Sequence, residues 1–143
     1  RQKQIYNAVL DMKNFATSLL VPGNNWYDYH KECGDFYTSK FLELGLLDKA
    51  DVQNEDKNWP AYKKYMMHGT SHHMGLDTHD YGILSDKFVE NMVFTVEPGI
   101  YLPAEGFGIR IEDDVVIQNN GPAFNLMKNI PIEIEEIEEL MNS

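Results

Sequence analysis

A single cysteine, Cys33, occurs in 143 residues. That excludes a disulfide framework and any zinc site built from clustered thiolates. Basic residues are scarce, with 12 Lys and Arg against 23 Asp and Glu, for a formal net charge of −11. A nucleic-acid role is disfavoured, because phosphate binding draws on the cations this chain is short of. Part of the acidity is local: residues 132–143 carry Glu133, Glu135, Glu136, Glu138 and Glu139 and no base. No run approaches the roughly 20 apolar residues of a membrane span. The opening Arg1-Gln2-Lys3-Gln4-Ile5-Tyr6 lacks the apolar core and small-residue cleavage site of a signal peptide, and it starts without Met inside a helical pattern. The expectation is a cytoplasmic protein, free of the membrane and cut from a longer chain.

What is present describes a folded domain. Hydrophobic residues make up 43% and aromatics 12%, which is globular rather than disordered composition. The length suits one domain with a real core. Ile5, Tyr6, Val9, Leu10, Met12 and Ala16 recur at helical spacing, predicting a helix over about Gln2 to Leu20 that Pro22-Gly23 ends. A second helix is expected from Trp26 to Leu47, with His30 on its surface, then an Asp/Asn-rich loop from Asp48 to Lys57. Beyond Met66 the pattern turns to short β-like runs, Met92 to Ile100 (broken by Pro98-Gly99) and Gly108 to Ile117. A short amphipathic helix carrying Ile134, Ile137 and Leu140 closes the chain. Helices first and strands second predict an α+β domain over 1–143, with helices on one face of an antiparallel sheet.

Four of the five histidines, His68, His72, His73 and His79, fall in one short segment. Neutral imidazole is the commonest protein metal ligand and the usual proton shuttle near neutral pH. Two carboxylates follow, Glu97 in Thr-Val-Glu-Pro-Gly and Glu112 in Ile-Arg-Ile-Glu-Asp-Asp. Strand alternation puts Val93, Thr95 and Glu97 on one face, and Arg110, Glu112 and Asp114 on one face of the next strand. Glu97 and Glu112 can then face each other with Arg110 alongside, and a bound cation is the simplest relief of their repulsion. His72, Glu97 and Glu112 around one divalent ion would leave a position open for water. A two-metal site would need roughly two more carboxylates. The alternatives are a mononuclear site or a dinuclear one partly outside this chain.

Each residue taken singly has a plainer role. His68 could be a structural histidine, His73 a packing neighbour, Glu97 a strand end and Asp113-Asp114 a solvated turn. Their joint occurrence in three β-rich segments favours a metal-dependent hydrolytic site. Rival patterns fail. Gly69-Thr70-Ser71-His72-His73 has His73 where a nucleophile elbow has its second glycine, and neither His-Glu-x-x-His nor a phosphate loop occurs.

Together the three segments resemble the pita-bread metallopeptidases, the family of aminopeptidase P, prolidase and methionine aminopeptidase. They are most similar to the bacterial-type Xaa-Pro aminopeptidases. The resemblance implies the C-terminal portion of that catalytic fold, binding two divalent metal ions, commonly manganese, with cobalt or zinc able to replace it. It implies that His72 and Glu97 bind one ion and that Glu112 bridges both. A bridging hydroxide would attack the bond before proline. His68 and His79 would act on the substrate, and Arg110 would fix the carboxylates from behind the metal. Peptides with proline in second position would be the substrates, and the full-length enzyme would be a homo-oligomer. A prolidase, or a non-catalytic interaction module on the same fold, is the alternative.

The family's other two ligands are aspartates on a hairpin preceding the first helix, and Asp11 inside that helix is no equivalent. The expectation is therefore that this chain alone does not turn over an Xaa-Pro peptide. Metal-supplemented turnover by the isolated 143-residue chain is the result that would contradict it.

Overall fold

The computed structural model describes residues 1–143. Helix α1 spans Gln2–Ser18 and buries Ile5, Ala8, Val9, Met12 and Ala16, the face that 3.6-residue periodicity selects. Helix α2 spans Trp26–Glu43 and lies against α1. The Asn25 side chain starts α2 by accepting from the Tyr27 and Asp28 amides at 3.0 and 3.1 Å. The helix stops at Glu43 rather than Leu47 because Gly45 takes a left-handed φ of 68°. That turn lets Leu46 N–H donate back to Phe41 C=O at 2.8 Å.

The polar stretch expected as a loop holds a short helix, α3, at Lys49–Gln53. Its Asp residues are the reason. The Asp48 side chain caps the Ala50 and Asp51 amides, and the Asp51 side chain caps the Asp48 amide in return.

The β region forms two small antiparallel sheets. β1 (Val93–Val96), β4 (Asp113–Val116) and β5 (Phe124–Asn125) make one, in the order β1-β4-β5. β2 (Gly99–Leu102) and β3 (Phe107–Arg110) make the other. The two long runs seen in the sequence are thus each divided, at Glu97-Pro98 and at Ile111-Glu112. Pro98 has no N–H to give a ladder, although its carbonyl still accepts from Ile111 N–H at 3.3 Å. The register is continuous across the break. Val96 pairs with Asp113 and Gly99 with Arg110, so Glu97 falls opposite Glu112. Helix α4 (Ile134–Met141) closes the chain.

The core lies between the two long helices and the sheets, and includes Met12, Tyr29, Tyr37, Phe41, Phe88, Phe94, Val96, Ile100, Val115 and Ile117. Beside these sits a buried ion pair. Lys13 of α1 donates to Asp113 at the start of β4, each side chain only 6% exposed. Asn125 of β5 donates to the same carboxylate at 2.7 Å. Asp113 is therefore no solvated turn residue; it joins α1, β4 and β5 at the residue next to Glu112. Removing one partner of a buried pair strands the other charge away from water. Lys13→Met is expected to lower stability by about 3–5 kcal/mol, measured by urea unfolding.

Candidate metal centre

The segment 70–74 runs along the outer edge of β1 and is held there by backbone hydrogen bonds. Glu97 N–H donates to Thr70 C=O at 2.8 Å, Thr95 N–H to His72 C=O at 3.1 Å, and Met74 N–H to Val93 C=O at 3.1 Å. The His72 amide donates to Thr95 Oγ1 at 3.1 Å. From behind, α2 supports the same segment with tyrosines: Tyr29 OH bonds Ser71 Oγ at 2.6 Å and Tyr37 OH bonds Thr70 Oγ1 at 2.8 Å. Thr70 and Ser71 are buried, so these bonds satisfy hydroxyls that water does not reach.

This anchoring brings His72 to Glu97, with Nε2 and Oε1 3.3 Å apart. The His72 Nδ1 lies 2.9 Å from the His73 carbonyl, which can only accept, so Nδ1 carries a proton. In the neutral ring Nε2 then turns its lone pair toward the carboxylate. Two lone-pair donors at that spacing match neighbouring ligands on one ion with bonds of roughly 2.0–2.2 Å. A histidine whose second nitrogen is fixed by a carbonyl is also the usual form of a metal ligand. The donor chemistry of His72 and Glu97 fits a divalent cation. No group of three or more His, Cys, Asp or Glu closes into a metal-holding cluster within this chain.

The remaining residues arrange themselves around that pair. Arg110 Nη1 donates to the other Glu97 oxygen at 3.3 Å and Nε donates to Tyr101 OH at 2.9 Å. His68 Nδ1 donates to Gly69 C=O at 2.8 Å, so its Nε2 accepts from Tyr101 OH at 2.6 Å. The contact with Tyr101, before its attraction to Glu97 and Glu112, holds the Arg110 guanidinium pKa above its ordinary value. The His79 ring packs against that of His72, with centroids 4.2 Å apart and planes tilted by 44°. His68, His72, His79, Glu97 and Arg110, with Gly69 and Ser71, line one cleft of about 320 Å³.

Glu112 lies outside that lining, in the adjoining hollow of about 250 Å³ that Arg110 also borders. Its carboxyl is held above the usual carboxylate range. Partial loss of water is the main cause, and the like charges of Glu97 and Asp114 add to it against Arg110 and His72. His73 turns away from the cleft, accepting from the Trp26 indole N–H at 3.3 Å and packing on Phe94. His30 is not a free surface residue: it stacks on Trp26, and burial pushes its imidazole pKa down. Tyr101 and the two α2 tyrosines escaped the sequence reading. Tyr101 lies four residues after Glu97 in a strand with no motif of its own, and Tyr29 and Tyr37 read simply as apolar helix positions.

Comparisons with known proteins give the family. The pattern of Metallopeptidase family M24 matches residues 1–119. The Xaa-Pro aminopeptidase of Haemophilus influenzae is 39% identical over 99% of this chain, and that of Escherichia coli K12 is 38% identical over 98%. These alignments cover 35% and 34% of those proteins. A putative aminopeptidase P from Bacillus anthracis superposes with a TM-score of 0.85 at 40% identity, over 99% of this chain and 32% of that one. A zinc-substituted E. coli aminopeptidase P in complex with product gives 0.82 at 35% identity, over 98% and 34%. The chain belongs to metallopeptidase family M24 and has the pita-bread fold of aminopeptidase P. It spans about a third of the length of the curated relatives it matches.

Cys33 reports on the support beneath the cleft. It is buried between the α2 tyrosines, and burial pushes its thiol up to about 12. The thiolate is the reactive form. A thiol reagent at pH 8 is therefore expected to leave Cys33 unlabelled in the folded protein and to label it in urea, read by mass spectrometry.

Proposed function

We propose that the full-length protein containing this chain is a metal-dependent Xaa-Pro aminopeptidase, with His72, Glu97 and Glu112 as metal ligands. The observation that carries the reading is the His72–Glu97 pair at 3.3 Å, its histidine tautomer fixed by a carbonyl, in a cleft that also holds His68 and His79. Two divalent ions, with manganese favoured by an oxygen-rich site, would draw their remaining carboxylates from outside this chain. Bound there, the ions would supply Lewis acidity and lower the pKa of an attacking water.

The chain's own residues do the rest. Glu97 presents one oxygen toward His72 while Arg110 holds the other, which keeps the carboxylate from rotating and would orient it for a metal ion. Glu112, opposite Glu97 in register, would be the second carboxylate ligand from this chain. His79, its ring tilted against that of His72, would hydrogen-bond the substrate and assist proton transfer. His68, oriented through Gly69 and Tyr101, would exchange its Tyr101 partner for a substrate group. Support for proline in second position comes from the relatives, whose names specify Xaa-Pro.

The test uses the full-length protein on Xaa-Pro dipeptides and longer Xaa-Pro peptides. Chelation should abolish release of the first residue and manganese should restore it. Glu112→Gln should cost more than the roughly 10- to 100-fold typical of losing a supporting residue, with less bound metal. Undiminished activity after chelation would sink the proposal, and cleavage of dipeptides alone would convert it to a prolidase.

A further inference from the structure

The loop that carries His79 is closed by one side chain. Asp80 Oδ2 accepts from Leu76 N–H at 3.0 Å, and Oδ1 accepts from Tyr81 N–H at 2.8 Å. The Asp80 amide donates to the His73 carbonyl at 3.0 Å. That same carbonyl takes the His72 Nδ1 proton at 2.9 Å. One acceptor therefore fixes both the imidazole that faces Glu97 and the closing end of the His79 loop.

Two glycines make room for this arrangement. A Cβ on Gly75 would lie 2.0 Å from Asp80 Oδ2, and one on Gly82 would lie 2.0 Å from His73 Cδ2. A surface loop needing only solubility would tolerate side chains at both. Here the carboxylate fills the space beside Gly75, and His73 fills that beside Gly82. The loop is otherwise exposed from Gly75 to His79, so little apolar packing holds it. Its shape depends on the Asp80 bonds and on Gly75 N–H donating to Asp77 C=O at 3.2 Å, and it meets the cleft at the His79 ring beside His72.

We propose that Asp80 is a positioning residue: by closing the loop from Gly75 to Asp80 onto the His73 carbonyl, it holds His79 against His72. The geometry stands by itself, while the catalytic consequence rests on the aminopeptidase reading. Without the carboxylate the Leu76 and Tyr81 amides turn to water, and His79 loses its fixed place relative to the metal ligand. Displacements of about 1 Å in catalytic groups cost up to roughly 100-fold in rate.

Two measurements on the full-length protein test this. The first is independent of activity. In the metal-free, histidine-labelled protein, an NMR contact between the His72 and His79 ring protons is expected in the wild type. It should be lost in Asp80→Ala and in Gly75→Ala, which drives a methyl against the carboxylate. Persistence of the contact in variants that fold would overturn the proposal. Asp80→Asn, which keeps the shape and one acceptor, carries the test if Asp80→Ala does not fold.

The second is kinetic. Asp80→Asn should lower kcat on an Xaa-Pro peptide about 10-fold or more, with KM and metal content little changed. In a His79→Ala background it should cost less than about twofold, because its effect passes through His79. A full, additive loss in that background would mean a merely structural role. If the wild type turns over no such peptide, the aminopeptidase reading fails, and the NMR contact still decides the role of Asp80.

Discussion

The site depends on one pairing in the antiparallel ladder. The registers of both sheets continue across the gap at Glu97-Pro98 and Ile111-Glu112, which puts two carboxylates opposite each other on one face. Like charges directly across a pair of strands repel. The raised pKa of Glu112 comes first from partial loss of water, and the repulsion from Glu97 adds to it. A cation between them would relieve it, and His72 Nε2 lies 3.3 Å from the nearer Glu97 oxygen. The ladder is interrupted only around these two carboxylates, while β1–β4 on one side and β2–β3 on the other keep their hydrogen bonds.

Burial around the pair is organised so that its parts cannot drift. The Lys13–Asp113–Asn125 group locks the start of β4 to α1 and β5. The Tyr29–Ser71 and Tyr37–Thr70 bonds lock the His72 segment to α2. The first uses charge and the second uses neutral hydroxyls, but each satisfies every buried side-chain polar atom, and none in the chain is left without a partner. Side chains on such rigid supports are held more closely than those on loops. His72 and Glu97 have that support. His79 does not, which leaves its placement to a few bonds within the loop.

Much of this was legible in the sequence. The spacing of Ile5, Val9, Met12 and Ala16 marked α1, and the β-like runs around Glu97 and Glu112 marked the strands and their facing residues. The motif segments identified the family that the comparisons then showed. Helix ends and loops were less legible, because their causes are single local bonds. Gly45 turns left-handed and ends α2 early, and Asp48 with Asp51 makes a capped helix out of a polar stretch that reads as a loop.

By itself, the sequence determined the order of elements, the family and which side chains could carry metal chemistry, because periodicity and motif spacing are properties of the linear chain. Only the tertiary structure decided who touches whom. It paired Asp113 with Lys13, one hundred residues away, and turned His73 from the cleft to Trp26. It also put Tyr101 between His68 and Arg110. Those choices arise when the helices close on the sheet and each buried polar group must find a partner. No local pattern specifies which partner that is.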